Sequence, residues 1–327
     1  MDIGLISDMV NFPNIAQMKI SAYHKQKGDN VEIVTTFFKH YDICYISKVF
    51  NLDLPTIPNL LYRPVADKYI EGGSGYCIEI ENGREVYHTE NDKPLPDEIE
   101  HIYPDYSLYP QFKGTAYGFL TRGCPNNCTF CVVSKKEGLC SRKVADLSEF
   151  WNGQPKIKLL DPNILASKDR EKLLLQLVES KAKIDYTQGL DARFIDKDIA
   201  KLVCSTQIDM IHFAFDLMKN EDRILKGLKT FAKYCNIGER EKRVYILTNY
   251  DTSLYEDWYR VKRVKELGFT PYVMIYRKGT HPQFLTDLQR WSNNMFLQRS
   301  TTFEDYIPRK DNKPCKVLYR EIINKTS

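Results

Sequence analysis

From residue 116 onward the chain alternates short apolar runs with stretches of helical spacing, and this regularity constrains the fold more than any other feature. The runs are "AYGFLTR", "KIKLLD", "IDYTQGL", "DMIHFAFD", "RVYILTN" and "TPYVMIY". Between most of them lie "DREKLLLQLVESKA", "DKDIAKLVCS", "EDRILKGLKTFAKY" and "YEDWYRVKRVKELG", which read as amphipathic helices. Strands alternating with helices predict an α/β domain around a parallel sheet. Six such units fall short of the eight that close a full barrel, so a partial barrel or an open sheet is expected. In both, ligands bind beyond the C-terminal ends of the strands.

The N-terminal region shows the same logic on a smaller scale. "DIGLIS" reads as a strand, "IAQMKISAYHKQKG" as a helix stopped by Gly28, and "VEIVTT" and "YDICYISKVF" as further strands. This βαβ pattern predicts a small Rossmann-like domain. Residues 55–110 hold Pro55, Pro58 and Pro64, the glycine group "EGGSGY", a hairpin candidate at "ENGRE", and the Pro-rich "DKPLPDEIEHIYPDYSLYP", which is expected to link two domains. The expected division is 1–110 for the Rossmann-like domain plus linker, 111–280 for the six-fold βα domain, and 281–327 for a C-terminal helix and capping tail.

Charge is unevenly spread. Residues 1–110 carry 9 Lys and Arg against 17 Asp and Glu, a balance of −8, while the remainder carries 38 against 26, a balance of +12. The basic portion suits a phosphate-bearing or nucleic-acid partner, or simply reflects lysines that solvate helices. The N-terminal "MDIGLISDMVNFPN" has acids where a signal peptide has bases, and no apolar run approaches a membrane span, so a soluble, cytoplasmic protein with no membrane partner is expected.

Nine cysteines in such a chain argue against a disulfide scaffold. Three of them, Cys124, Cys128 and Cys131, fall in "TRGCPNNCTFCVV", just after the first strand of the six-fold region. A structural zinc site has four ligands, and Cys140 or His212 could complete one. Three thiolates also suit a cubane iron–sulfur cluster with one iron left open. Cys44, Cys77, Cys204, Cys235 and Cys315 are scattered and read as buried apolar residues.

The C-x3-C-x2-C spacing, with an aromatic before the last cysteine, resembles the radical S-adenosylmethionine superfamily. "GFLTRGCPNNCTFCVV", "LLDPNI", "QGLDARF", "FAFD" and "ELGFTPYVMIY" are similar to the branch with an N-terminal cobalamin-binding-like domain. The resemblance covers nearly the whole chain. It implies a partial (βα)6 TIM-like barrel after a small Rossmann-like domain, and a 4Fe–4S cluster on Cys124, Cys128 and Cys131. S-adenosylmethionine on the open iron would be cleaved to a 5′-deoxyadenosyl radical that modifies a substrate. A reductant such as flavodoxin or ferredoxin is implied, with a small-molecule or nucleotide-bearing substrate.

The resemblance also places Phe130 beside the adenine, or in the core. Where the family often has Gly-Gly-Glu, this chain has "LLDPN", so Asp161 or Asn163 would meet the methionyl amine, or act as turn and cap residues before "DREKLL". Gln188, Asp191 and Arg193 could reach ribose, carboxylate or substrate, with Arg193 alternatively paired to Asp191 or Asp216. Asp216 and Asn249 end the fourth and fifth strands and are expected at the barrel mouth; Tyr276 would line the adenine site or pack.

Some features depart from the pattern. The cobalamin-ligating Asp-x-His-x-x-Gly motif is absent from "SDMVNFPN", and His24 is expected to mark a helix surface. Some members bind cobalamin without that histidine, so the expectation leaves cobalamin open and leans away from it. Methylthiolation usually needs a second cluster on N-terminal cysteines, and Cys44 and Cys77 do not supply three ligands. "EGGSGY" is expected to be a tight turn in preference to an anion nest. The rival functions are a zinc-binding nucleic-acid module and a catalytically silent cluster-binding relative.

Overall fold

The computed structural model describes residues 1–9, 12–36, 38–50, 63–82, 84–276 and 279–324, so Pro55, Pro58 and the Gly83 of "ENGRE" lie outside the described residues. The chain divides into two compact units, Met1–Lys158 and Leu159–Ser327, each α/β with a parallel sheet. No helix among the described residues is long and apolar enough to cross a membrane.

In the first unit, β1 (Asp2–Ser7) lies between β2 (Asn30–Ile33) and β3 (His40–Ser47), and β4 (Val65–Gly72) follows β3, all parallel. Helix α1 (Ile15–Gln26) starts where the Asn14 side chain accepts the Gln17 N–H, and it stops at Gly28, which takes the left-handed φ of 83°. Ile3, Leu5 and Ile20 pack together with Ile99 to form its core. Ile99 belongs to the Pro-rich segment expected to be a linker. That segment is instead packed on α1: Asp105 accepts from Ser21 and Lys25, and Lys19 pairs with Glu100 at 2.9 Å.

His24 corrects another expectation. It is buried, with Nδ1 2.7 Å from Asp29 Oδ2 and Nε2 3.0 Å from the Tyr45 hydroxyl, and does not mark a helix surface. "EGGSGY" is the tight turn expected: a Cβ on Gly73 or Gly75 would meet the Lys48 or Phe50 carbonyl oxygen at 2.3 and 2.6 Å. β5 (Ile78–Glu81) and β6 (Arg84–Tyr87) form the antiparallel hairpin. "AYGFLTR" splits into β7 (Thr115–Gly118) and β8 (Thr121–Arg122); β8 pairs with β9 (Arg142–Lys143).

The division between the units falls within β10 (Lys156–Leu159). In the second unit β11 (Lys183–Leu190), β12 (Gln207–Ala214), β13 (Lys242–Thr248) and β14 (Thr270–Ile275) are neighbours in sequence order and parallel. With β7 and β10, all six expected strands are present. The short α2 (Val133–Glu137) belongs to the first unit; α3 (Arg170–Ser180), α4 (Lys197–Cys204), α5 (Glu221–Tyr234) and α6 (Leu254–Glu266) connect the strands of the second. Their apolar stripes are buried: Leu173, Leu174 and Leu177 on α3, Ile199 and Val203 on α4, Leu228 and Phe231 on α5. Phe231 meets Phe213 of β12 edge-on at 5.0 Å, so alternate residues of β12 face the helices.

The C-terminal segment closes the β14 edge. Asn293, beyond α7 (Gln283–Ser292), accepts the Val273 N–H and donates to its carbonyl, satisfying backbone groups that no further strand among the described residues takes.

Candidate functional site

The three clustered cysteines occupy a loop of the first unit that the β8–β9 ribbon pinches at its base. Glu137 fastens this base: its carboxylate accepts from Arg122 at 2.7 Å and from the Gly123 N–H at 2.9 Å, and its carbonyl accepts from Arg142. Gly123 has φ 88°, and a Cβ there would lie 2.3 Å from the Cys140 carbonyl oxygen, so the loop closes only with glycine. The Cys124 N–H donates to Gly138 O, and the Cys131 N–H donates to Cys128 O, which folds "CTFC" into a turn.

Cys124, Cys128 and Cys131 are half-buried, as is Phe130. Cys44, Cys77, Cys235 and Cys315 are fully buried, as expected for apolar packing, whereas Cys204 is only half-buried and Cys140 is exposed. Burial pushes the Cys44 thiol up to about 11 and the Cys315 thiol up to about 12, so both stay protonated and are poor ligands. Among the described cysteines, Cys124, Cys128 and Cys131 are the three that share one loop and are only half-buried. A group held by three thiolates carries negative charge; Lys135, Lys136 and Arg142 follow the loop in sequence, while Arg122 is already paired with Glu137. Three thiols on one short loop are the kind of donor set that an iron–sulfur cluster takes.

In the second unit, the other candidates follow the C-terminal ends of strands. Asp191 comes directly after β11, Asn249 after β13 and Tyr276 after β14, with Asp216 two positions beyond β12. Parallel strands bring these exits to one edge of the sheet.

Three candidates are joined outright. Arg193 donates to Asp191 through Nε at 2.8 Å and Nη2 at 2.7 Å, and Asn163 Nδ2 donates to Asp191 Oδ2 at 3.1 Å. Asp191 also accepts the Arg193 N–H as cap of the turn Ala192–Phe194. This turn is seated by α5, where a Cβ on Gly227 would come within 1.8 Å of Ala192 O. Asp161 and Asn163 are buried, and neither caps α3, whose preceding residue is Asp169. Gln188 is exposed, beside Gly189 (φ 96°) at the irregularity where β11 shifts register against β12.

Asn249 and Tyr276 form a second group. Asn249 takes the left-handed φ of 62° and donates Nδ2 to Tyr276 O at 2.9 Å, while Tyr276 packs edge-on to Tyr250 at 4.8 Å. Asp216 accepts the Leu247 N–H at 2.9 Å, and burial raises its carboxyl against the pull of that N–H and of Arg260.

Sequence reasoning missed the pair beneath these exits. Arg260 of α6 is fully buried and donates to Phe215 O and Asp216 O at 2.7 and 2.6 Å, and to Asp257 at 2.5 Å. Asp257 in turn accepts from Thr252 and from the Asn249 N–H. Together they tie the exit of β12 to that of β13. The available signal was spacing, since Asp257, Arg260 and Val264 recur at helical intervals beside Trp258 and Val261. His212, weighed as a zinc ligand, lies near Tyr186 O through Nδ1 at 3.1 Å and stacks on Tyr245 at 4.8 Å.

No protein-family model matches the chain. Over 262 residues, 69% of its length, it is 25% identical to the tRNA-2-methylthio-N(6)-dimethylallyladenosine synthase of Sulfurihydrogenibium sp. (strain YO3AOP1). The chain spans 60% of that relative's length.

Proposed function

We propose that the chain is a radical S-adenosylmethionine enzyme in which Cys124, Cys128 and Cys131 hold a 4Fe–4S cluster and residues 111–280 form a partial (βα)6 barrel. The observation that carries this reading is that three half-buried thiols share one clamped loop, whereas Cys44 and Cys315 are buried and held protonated. When bound, the cluster and S-adenosylmethionine supply one-electron cleavage of the sulfonium and, from it, hydrogen-atom abstraction.

The chain's own residues then bind and orient. Asp161 is the acceptor for the methionyl ammonium. Asn163, Asp191 and Arg193 form a pre-set polar group for the carboxylate and ribose, held rigid by their mutual hydrogen bonds. Gln188, exposed at the same exit, contacts ribose or substrate. Asn249 and Tyr276, joined by the hydrogen bond from Asn249 Nδ2 to Tyr276 O, serve the adenine, and Phe130 serves the cysteine loop. Asp216 is tied into the strand exits by Leu247 and Arg260 and serves as a positioning residue.

The substrate is nucleotide-bearing. The +12 balance of residues 111–327 supports this, as does a relative whose name includes tRNA. Cys44 and Cys77 are buried and are not read as ligands of a second cluster. The first unit is read as a substrate-recognition domain without cobalamin, and the electron comes from a flavodoxin- or ferredoxin-like reductant.

Iron analysis after anaerobic reconstitution tests the assignment of the cysteines. The wild type should hold about four irons per chain and absorb in the visible. Cys124→Ser, Cys128→Ser and Cys131→Ser should each lose this, and Cys140→Ser should keep it. A colourless protein with one tightly held zinc would favour the zinc-binding nucleic-acid module.

A further inference from the structure

We propose that the β5–β6 hairpin carries a divalent-metal site of its own, with Glu79, Glu81 and His88 as ligands and a first-row ion such as Zn2+ as occupant. The backbone sets it up. In the hairpin register Glu79 lies opposite Val86 and Glu81 opposite Arg84, so strand alternation puts Glu79, Glu81 and His88 on one face. The His88 N–H donates to Cys77 O, which extends the ladder and fixes where the ring begins.

The side chains converge. His88 Nε2 is 3.2 Å from Glu81 Oε1 and 3.8 Å from Glu79 Oε2, and one ligand atom from each residue lies within 4.8 Å of the others. An ion about 2.1 Å from each nitrogen and oxygen separates tetrahedral ligands by about 3.4 Å, so a cation fits with side-chain adjustment alone.

The histidine is also oriented for ligation. Nδ1 is 3.1 Å from Glu90 Oε1, and Nε2 is enclosed yet makes no hydrogen bond. In the tautomer whose Nδ1–H donates to Glu90, the Nε2 lone pair is available to a metal, the arrangement that usually supports metal-bound histidines. Three carboxylates therefore surround one imidazole, and the described ion pairs of Glu79 and Glu81 run to His88. A divalent cation would balance this surplus, and one imidazole with two carboxylates suits Zn2+ or Co2+ over a soft, thiolate-seeking ion.

Cobalt(II) titration of the full chain separates this site from the cysteine loop, since thiolate ligation adds sulfur-to-metal charge transfer and Glu/His ligation gives weak visible d–d bands alone. The wild type should show d–d bands of the second kind. His88→Ala and the double variant Glu79→Gln/Glu81→Gln should lose them, and Glu90→Gln should weaken binding roughly 10- to 100-fold. Circular dichroism in EDTA should match the wild type for all variants. The double variant touches only exposed carboxylates and reads out the same loss if His88→Ala fails to fold. Equal cobalt uptake by the wild type and the double variant, or no band of this kind in the wild type, would overturn the proposal.

Discussion

Arg193 folds back on Asp191, two positions earlier, and grips both carboxylate oxygens, at 2.8 and 2.7 Å. Asn163 completes the group from the exit of β10. Asp191→Ala removes the shared acceptor and leaves two donors without it. We expect it to cost about 2 kcal/mol of stability, the range for hydrogen bonds to a charged partner. It should also weaken S-adenosylmethionine binding to the reconstituted protein about tenfold or more, read by calorimetry. Unchanged binding despite the lost stability would make the group purely structural.

Arg260 and Asp257 are both fully buried, so breaking the pair strands a charge. Arg260→Leu should destabilise by about 3–5 kcal/mol, while Arg260→Leu with Asp257→Leu should recover much of that loss. Urea midpoints decide. A double variant no more stable than the single one would show that the hydrogen bonds to Phe215 O and Asp216 O dominate.

Gly227 permits the close seat of α5 on the Ala192–Phe194 turn. Gly227→Ala would gain about 1 kcal/mol of helix propensity in an open position. Here the added methyl collides with a backbone carbonyl, and we expect a net loss of about 1–3 kcal/mol instead. A stabilised variant in thermal unfolding would contradict this packing.

Asp105 makes stability depend on pH. Burial alone would raise its carboxyl, but hydrogen bonds from Lys25, Ser107 and Ser21 outweigh that and hold it below its ordinary value. A lowered folded pKa contributes stability that is complete above the unfolded value of about 3.9 and is lost as pH falls through the folded value. Asp105→Asn should therefore flatten the stability profile below about pH 4 and lower the plateau above it. An acid limb identical to the wild type would mean that the Pro-rich segment is not held on α1 in solution.

The strands and helices of the second unit were readable because their apolar residues repeat with clear periods. β4 was not, since "VADKYIEG" shows only half-buried or exposed residues and lacks an apolar alternation. The Pro-rich segment looked like a linker because composition reports turns, while its anchoring depends on Ile99 and Asp105 meeting distant partners on β1 and α1. His24 misled for the same reason: its burial is set by Asp29 and Tyr45, which helical spacing does not reveal. In the candidate site, the cysteines and the Asp191–Arg193 pair are local in sequence and were visible. The Arg260–Asp257 strap required knowing which carbonyls stand above α6.

The central claim is that the three cysteines serve radical cleavage of S-adenosylmethionine, and product formation tests it most directly. The reconstituted wild type, reduced with dithionite under argon and given S-adenosylmethionine, should release 5′-deoxyadenosine, with Cys128→Ser releasing none. An intact cluster in the wild type that yields no 5′-deoxyadenosine would contradict the account and leave a catalytically silent cluster protein in its place.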